Sequence, residues 1–227
     1  MTAAPSVSLR SVNVALPTFL CVRHGQDVAS GFRKHPVTAA TVHVSSTNID
    51  GDGQGDLVAH GGPEKAVYSY PSEHWAPWTA ELKPDRPYGP ASFGENLSLA
   101  GILEDEACIG DIWRWGEVRL QICQPRFPCY KLGEALSDRT VVQKLVENGR
   151  TGWYFRVLTT GMAPTSGQIE IESRDPAGIT VAMAHQARLP HADPALVEQV
   201  LAVDALASKL RLTLEERLAT HGVAERG

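Results

Sequence analysis

The chain has 227 residues, a formal net charge of -5 and a pI of about 5.9, and 43% of its residues are hydrophobic. This composition fits one folded domain, or one domain with a small addition, and the acidic balance argues against nucleic acid or an anionic membrane as partner. The chain shows no signal peptide and no apolar stretch of the roughly 18 residues that a membrane-spanning helix needs, so we expect a cytoplasmic protein.

Short segments that alternate apolar and polar residues fill the first two thirds of the chain. They read SVNVAL, ATVHVSS, AVYSY and EVRLQIC, and glycine-rich turns such as IDGDGQGD, HGGPEK and FGENL separate them. Many short strands with glycine turns predict a β-barrel or sandwich. Two helices interrupt this pattern: one over 72–82 with Ser72 as cap, short or kinked at Pro77, and one over 135–149 that ends at Gly149.

After about residue 167 the sequence pattern changes from short alternating segments to helix signals. Asp175 with Pro176, and Asp193 with Pro194, each resemble a helix cap followed by proline at the first helical position. Leucines then recur every four residues from Leu206 to Leu218, ahead of a stop at Gly222. The sequence therefore predicts an α+β protein, mainly β with helices, with a barrel domain over 1–167 and a three-helix domain over 168–227.

Two turns carry polar residues that suit a ligand. In AHGGPEKAVY, Gly61 and Gly62 allow close backbone approach, and N–H groups near Lys65 suit a phosphate or other anion. A β-bulge with a solvent-directed lysine explains the same residues and is favoured by spacing alone. In FGENL, Glu95 and Asn96 suit either the edge of a heterocycle or the bracing of a turn.

Three aspartates, Asp50, Asp52 and Asp56, alternate with glycines as in a calcium-binding loop. The EF-hand pattern requires an acid at the twelfth position, which is Gly61 here, so that pattern fails.

Cys129 is the most distinctive of the four cysteines, at 21, 108, 123 and 129, which include no Cys-x-x-Cys pair. Sparse, unpaired cysteines argue against a disulfide scaffold, a structural zinc site and an iron–sulfur cluster. In PRFPCYKL, Pro128 stiffens the corner before the thiol, and Arg126 and Lys131 favour the thiolate. The residues alone leave open a nucleophile, a metal ligand or an inert buried thiol, and the inert thiol is the default.

Together the motifs GDGQGDLVAHGGPEKAVYSYPSEHWAPW, FGENLSLAGILEDEACIGD and PRFPCYKL resemble the MOSC domain, which is named after the C-terminal domain of molybdenum cofactor sulfurase. The likeness runs from about residue 12 to 165 and is closest to the YiiM-like branch, in which a three-helix domain follows the barrel. Members of the family are associated with the molybdenum cofactor, and several reduce N-hydroxylated compounds. The branch is linked to resistance to 6-hydroxylaminopurine.

The resemblance implies a set of site residues. Cys129 matches the invariant cysteine, which would ligate molybdenum and be catalytic. The cofactor would be bound by Lys34, His60, Gly61, Gly62, Lys65, Asn96 and Arg126.

The implied activity is a molybdenum-cofactor-dependent reduction of a small N-hydroxylated substrate to an amine. The chain has no dinucleotide-binding fingerprint, so the electrons would come from a separate reductase. Two alternatives use the same pocket: a non-catalytic cofactor carrier, and a sulfur-transfer protein with a persulfide on Cys129. The sequence does not fix the oligomeric state.

Overall fold

The computed structural model describes residues 6–56 and 61–224, and their side chains as far as residue 220. In chain order the strands of these ranges are β1 (Ser6–Val14), β2 (Thr18–Arg23), β3 (Gln26–Ser30), β4 (His35–Pro36), β5 (Thr41–Val44), β6 (Val67–Pro71), β7 (Leu97–Ala100), β8 (Ile112–Trp115), β9 (Val118–Pro125), β10 (Trp153–Thr159), β11 (Gly161–Pro164) and β12 (Gly167–Ser173).

Seven of these strands close into a barrel in the order β12-β8-β9-β10-β6-β7-β1, and β1 pairs with β12 to complete the ring. Every neighbouring pair is antiparallel except β6 and β7, which run parallel. Strand β4 extends one edge from β1, while β2–β3 and β5–β11 form separate two-stranded ribbons. Closure leaves the seven strands without a free edge over most of their length.

The alternation seen in the sequence fills the barrel. Along β9, Val118, Leu120 and Ile122 are fully buried, as the period of two along a strand predicts. Their cross-strand partners include Trp113 on β8 and Phe155 on β10, which are also fully buried. These large side chains occupy the interior, so the barrel is a packed core rather than a channel.

Helices follow the strands at three places. They are α1 (Trp75–Leu82), α2 (Tyr130–Leu136), α3 (Thr140–Asn148), α4 (Val181–Ala187), α5 (Pro194–Leu201) and α6 (Ser208–Ala224), with one-turn 3-10 helices at Pro63–Lys65 and Ser72–His74. In the part of the chain that the structure describes, no helix is long and apolar enough to cross a membrane.

Several helix boundaries differ from prediction. The segment predicted as one helix over 135–149 lies in two helices, because Ser137 adopts a left-handed conformation that ends α2, whereas Gly149 ends α3 as predicted. The prediction that Ser72 caps a helix was wrong, since neither short helix there has a side-chain cap. The stop at Gly222 was also wrong, because α6 extends to Ala224.

The two predicted aspartate caps, each followed by proline, had different outcomes. Asp193 accepts a hydrogen bond from the Ala195 N–H at the start of α5, as predicted. Asp175 does not begin a helix, because it closes a turn to Gly178, and Thr180 caps α4 instead.

The predicted α+β fold class is confirmed: a closed β-barrel is followed by a C-terminal three-helix addition. The division at residue 167 stays a prediction, and the strand that closes the barrel, β12, continues from there to Ser173. Helices α4 to α6 share the barrel's hydrophobic core: Val197, Leu210 and Leu214 belong to the same buried cluster as Trp113 and Ile122.

Candidate functional site

Cys129 lies at a corner between the barrel and a helix. Strand β9 ends at Pro125, and Cys129 is extended, with φ -117° and ψ 172°, immediately before α2. Its thiol is half-buried, and no cap hydrogen bond from its side chain forms at the start of α2. The corner thus presents the thiol outside any strand ladder, as Pro128 predicts.

A cavity of about 90 Å³ beside Cys129 brings together most of the predicted site. The predicted residues that line it are Lys34, Lys65, Asn96, Arg126 and Cys129, and Asp52, Tyr68, Lys131 and Tyr154 line it as well. These side chains come from distant parts of the chain, so the fold assembles a basic, sulfur-bearing pocket.

The glycine turn approaches this pocket from one side. Gly61 and Gly62 precede the 3-10 helix Pro63–Lys65, and Gly62 has φ +97°, a conformation that glycine adopts at little cost. They support the turn that carries Lys65, and neither is among the lining residues of the cavity. His60, predicted to bind the cofactor, lies outside the described residues.

A buried polar network forms one wall. The Lys34 ammonium pairs with Asp52, and their side chains are 7% and 1% exposed. The Asp52 carboxylate also accepts from the Ala15 N–H at 2.9 Å and from the Asn96 amide at 2.9 Å. Burial lowers the pKa of Lys34, and attraction to Asp52 opposes that shift.

Asn96 braces the barrel as well as lining the cavity. Its amide nitrogen donates to Asp52 and to the Asn13 carbonyl at 3.2 Å, while its oxygen accepts from the Tyr68 N–H at 3.0 Å. These hydrogen bonds engage both the nitrogen and the oxygen of the Asn96 amide within the wall of the cavity. Its predicted role as a cofactor ligand stays a prediction, and bracing is the function that the geometry displays.

Arg126 is the buried cation of the site. Its Nη1 donates to the Tyr68 hydroxyl at 3.1 Å and to the Phe93 carbonyl at 2.8 Å. Burial alone would lower the pKa of Arg126, but interactions with Tyr68 and Tyr154 raise it above its ordinary value. The guanidinium therefore remains charged and fixed in direction beside Cys129.

Glu95 closes the turn beside this wall. Its carboxylate accepts from the N–H groups of Ala91 and Phe93 and from the Ser98 hydroxyl, at 2.8 to 3.0 Å. Burial raises the pKa of Glu95 to about 7, and these hydrogen bonds hold it lower than burial alone would. Of the two roles considered for Glu95, the structure displays the bracing of a turn.

A second cavity, of about 280 Å³, meets the first at three shared residues: Lys65, Cys129 and Tyr154. Its remaining walls are Gln124, Phe127, Pro128, Arg188, Lys209, Leu210 and Thr213. Cys129 therefore lies where two cavities join. Nothing local in the sequence ties Arg188 and Lys209 to Cys129, and only the packing of the C-terminal helices brings them there.

The other cysteines lie in different settings. Cys123 is fully buried, and burial raises its pKa to about 12, so it behaves as an apolar strand residue. Cys21 lines a separate cavity of about 410 Å³ beside α2, together with Arg23 and Tyr130. Cys108 is half-buried, and burial raises its pKa.

The donor set fits a molybdenum cofactor that brings most of its own metal ligands. Among the side chains of residues 6–56 and 61–220, no group of three or more His, Cys, Asp or Glu is placed to hold a bare metal ion. One accessible thiol, at Cys129, would complete a sulfur-rich set supplied by the cofactor, since thiolates suit soft metals. Lys65, Arg126 and Lys131 would supply positive charge for the phosphate of such a cofactor.

Comparisons with known proteins agree with this arrangement. The MOSC domain profile matches residues 56–173. YflK of Bacillus subtilis, an uncharacterised protein, is 38% identical over 92% of this chain and 94% of its own length. A protein named reductase from Gibberella moniliformis is 37% identical over 53% of this chain, which corresponds to 22% of that larger protein.

The fold has a solved counterpart. The crystal structure of YiiM from Geobacillus stearothermophilus superposes with a TM-score of 0.74 at 29% identity, covering 92% of this chain and 97% of that one. The likeness extends over the C-terminal helices as well as the barrel.

Proposed function

Because the chain belongs to the MOSC domain family, we propose that it binds a molybdenum cofactor around Cys129 and reduces N-hydroxylated compounds to amines. MOSC domains are in general associated with the molybdenum cofactor. The observation that carries the proposal is the position of Cys129: a single accessible thiol at the junction of two cavities, one of them lined by buried and half-buried cations.

Each residue has a defined part in binding. The thiolate of Cys129 would ligate the metal, while Lys65, Lys131 and Arg126 would hold the anionic part of the cofactor. The Lys34–Asp52 pair and Asn96 hold the wall of the cavity in shape. When bound, the cofactor would supply the two-electron chemistry that replaces an N–OH group by N–H and releases water.

Electrons and protons must come from outside the chain. The overall change consumes two electrons and two protons per N–OH group, and we propose a separate reductase as the electron donor. The Gibberella protein is named a reductase and contains a segment like this chain, which supports a reductive role for the domain.

The test uses protein purified from cells that make the molybdenum cofactor. We expect about one molybdenum atom per chain by elemental analysis, and conversion of 6-hydroxylaminopurine to adenine with a chemical reductant. Cys129→Ser should lose both the metal and the activity, because a hydroxyl is a poor ligand for a soft metal. Cys108→Ser, which removes another half-buried thiol, should change neither.

Three results would contradict the proposal. Normal metal retention and turnover by Cys129→Ser would refute the ligand assignment. Bound molybdenum without adenine formation would identify a cofactor carrier. A mass increase of about 32 Da on Cys129 without molybdenum would identify sulfur transfer.

A further inference from the structure

We infer that the cavity between Cys129 and the C-terminal helices is an anion-binding subsite for the substrate, which therefore carries a phosphate, as an N-hydroxylated nucleotide does. The inference rests on the proposed function and names its substrate class. The cavity is the one of about 280 Å³ described above, and we call it the helix-side cavity.

Two cations of the C-terminal helical region, Arg188 and Lys209, converge on the helix-side cavity, which Lys65 of the first cavity also lines. Within the described residues neither Arg188 nor Lys209 forms an ion pair with a carboxylate. Two positive charges without a carboxylate partner attract an anion, so Arg188 and Lys209 favour a phosphate in this cavity.

The apolar walls suit a planar ring. Phe127, Pro128 and Leu210 line the cavity, and the Arg188 guanidinium lies 3.6 Å from the centre of the Phe127 ring. Because the guanidinium lies over that ring and His185 stacks on it at 5.9 Å, Pro128 and Leu210 provide the apolar surface for a base beside the cation.

The cofactor and the substrate would occupy different sides of Cys129. Of the residues predicted to bind the cofactor, Lys34, Asn96 and Arg126 line the first cavity and not this one, whereas Lys65 lines both. Because Cys129 lines both cavities, a substrate in the helix-side cavity would lie beside the thiolate that would hold the metal.

The glycine turn of the barrel fixes the start of α6, the helix that carries Lys209. The Glu64 carboxylate accepts from the Ser208 N–H at 2.9 and 3.0 Å and from its hydroxyl at 3.0 Å, next to Lys209. Glu64 also pairs with Arg156 of β10 at 2.9 Å. The first turn of α6, from which the exposed Lys209 extends, is therefore joined to the barrel by hydrogen bonds.

The first test measures binding without turnover. Adenosine monophosphate, the amine product of the corresponding N-hydroxylated nucleotide, and adenosine are titrated into the full chain by calorimetry. We expect the monophosphate to bind more tightly, and Lys209→Gln and Arg188→Gln each to weaken it about tenfold with adenosine unaffected. Lys144→Gln removes the same charge from α3, where Lys144 pairs with Glu81, and should leave both affinities unchanged.

The second test compares substrates in the cofactor-loaded protein. Lys209→Gln should raise KM for N6-hydroxyadenosine monophosphate about tenfold and leave KM for 6-hydroxylaminopurine unchanged. Molybdenum content should stay at the wild-type level.

Each contrary result has a distinct meaning. Equal affinity for adenosine and its monophosphate, or equal effects of Lys209→Gln on both, would overturn the subsite. Loss of molybdenum from Lys209→Gln would assign the cavity to the phosphate of the cofactor and overturn the substrate inference. Selective binding of the monophosphate with no reduction of either substrate would refute the proposed function and leave the anion subsite standing.

Discussion

Lys34 shows how a single side chain can hold the wall of the site. Its ammonium group is almost fully buried, and it pairs with a carboxylate that is more deeply buried still, Asp52. Taking two charges out of water costs several kcal/mol for each ion, and their attraction repays this cost only with additional hydrogen bonds. Ala15 and Asn96 supply those bonds to Asp52.

Removing Lys34 should destabilise the protein more than removing both charges together. We expect Lys34→Met to lower the free energy of unfolding by about 3–5 kcal/mol, because it leaves Asp52 buried and uncompensated. The double variant with Asp52→Asn should recover part of this loss in urea titrations. A double variant that is no more stable than Lys34→Met would show that Lys34 acts through packing and not through charge.

At the scale of elements, the glycine turn connects the barrel to the last helix. The 3-10 helix Pro63–Lys65 places Lys65 at the wall of both cavities. The carboxylate of Glu64, in the same 3-10 helix, caps the start of α6. The Glu64 carbonyl also accepts from the Gln124 amide at 2.8 Å. One turn thereby positions cations from the barrel and from the C-terminal helices around Cys129.

Removing the Glu64 carboxylate should destabilise the first turn of α6. We expect Glu64→Ala to lower the free energy of unfolding by about 1–2 kcal/mol, because the Ser208 cap and the Arg156 pair are both lost. Amide hydrogen exchange should accelerate in the first turn of α6 and remain unchanged in β8 and β9. Glu215→Ala, on the exposed face of the same helix, should have no such effect; unaltered exchange at the start of α6 in Glu64→Ala would exclude the capping role.

At the scale of the whole molecule, local sequence signals predicted the individual strands and helices better than the contacts between them. Alternation predicted strands such as β5 and β9, and the Asp193–Pro194 pair predicted the start of α5, because those signals act within a few residues. The approach of Arg188 and Lys209 to Cys129 depends on packing across about 60 to 80 positions, which no local period encodes. Asp175 does not cap a helix, because its carboxylate accepts a hydrogen bond from the Ala177 N–H within a turn.

The barrel and the C-terminal helices share one core, which has a consequence for unfolding. Leu206, Leu210 and Leu214 are buried in the same cluster as barrel residues, and the Ala207 N–H donates to the Cys123 carbonyl on β9 at 2.9 Å. Elements that share a buried core unfold together, because neither can lose its partner without exposing apolar surface.

We therefore expect one cooperative transition for the full chain. All five tryptophans precede residue 154, so their fluorescence reports on the barrel and its neighbours, whereas far-UV circular dichroism also senses α4 to α6. Leu214→Ala should lower the free energy of unfolding by about 2–5 kcal/mol and shift both signals together, because Leu214 is fully buried. Leu212→Ala, at an exposed leucine of the same helix, should shift neither. If Leu214→Ala moved only the dichroism signal and left the tryptophan transition in place, the helices would unfold as an independent domain, and the shared core would contribute little to the stability of the barrel.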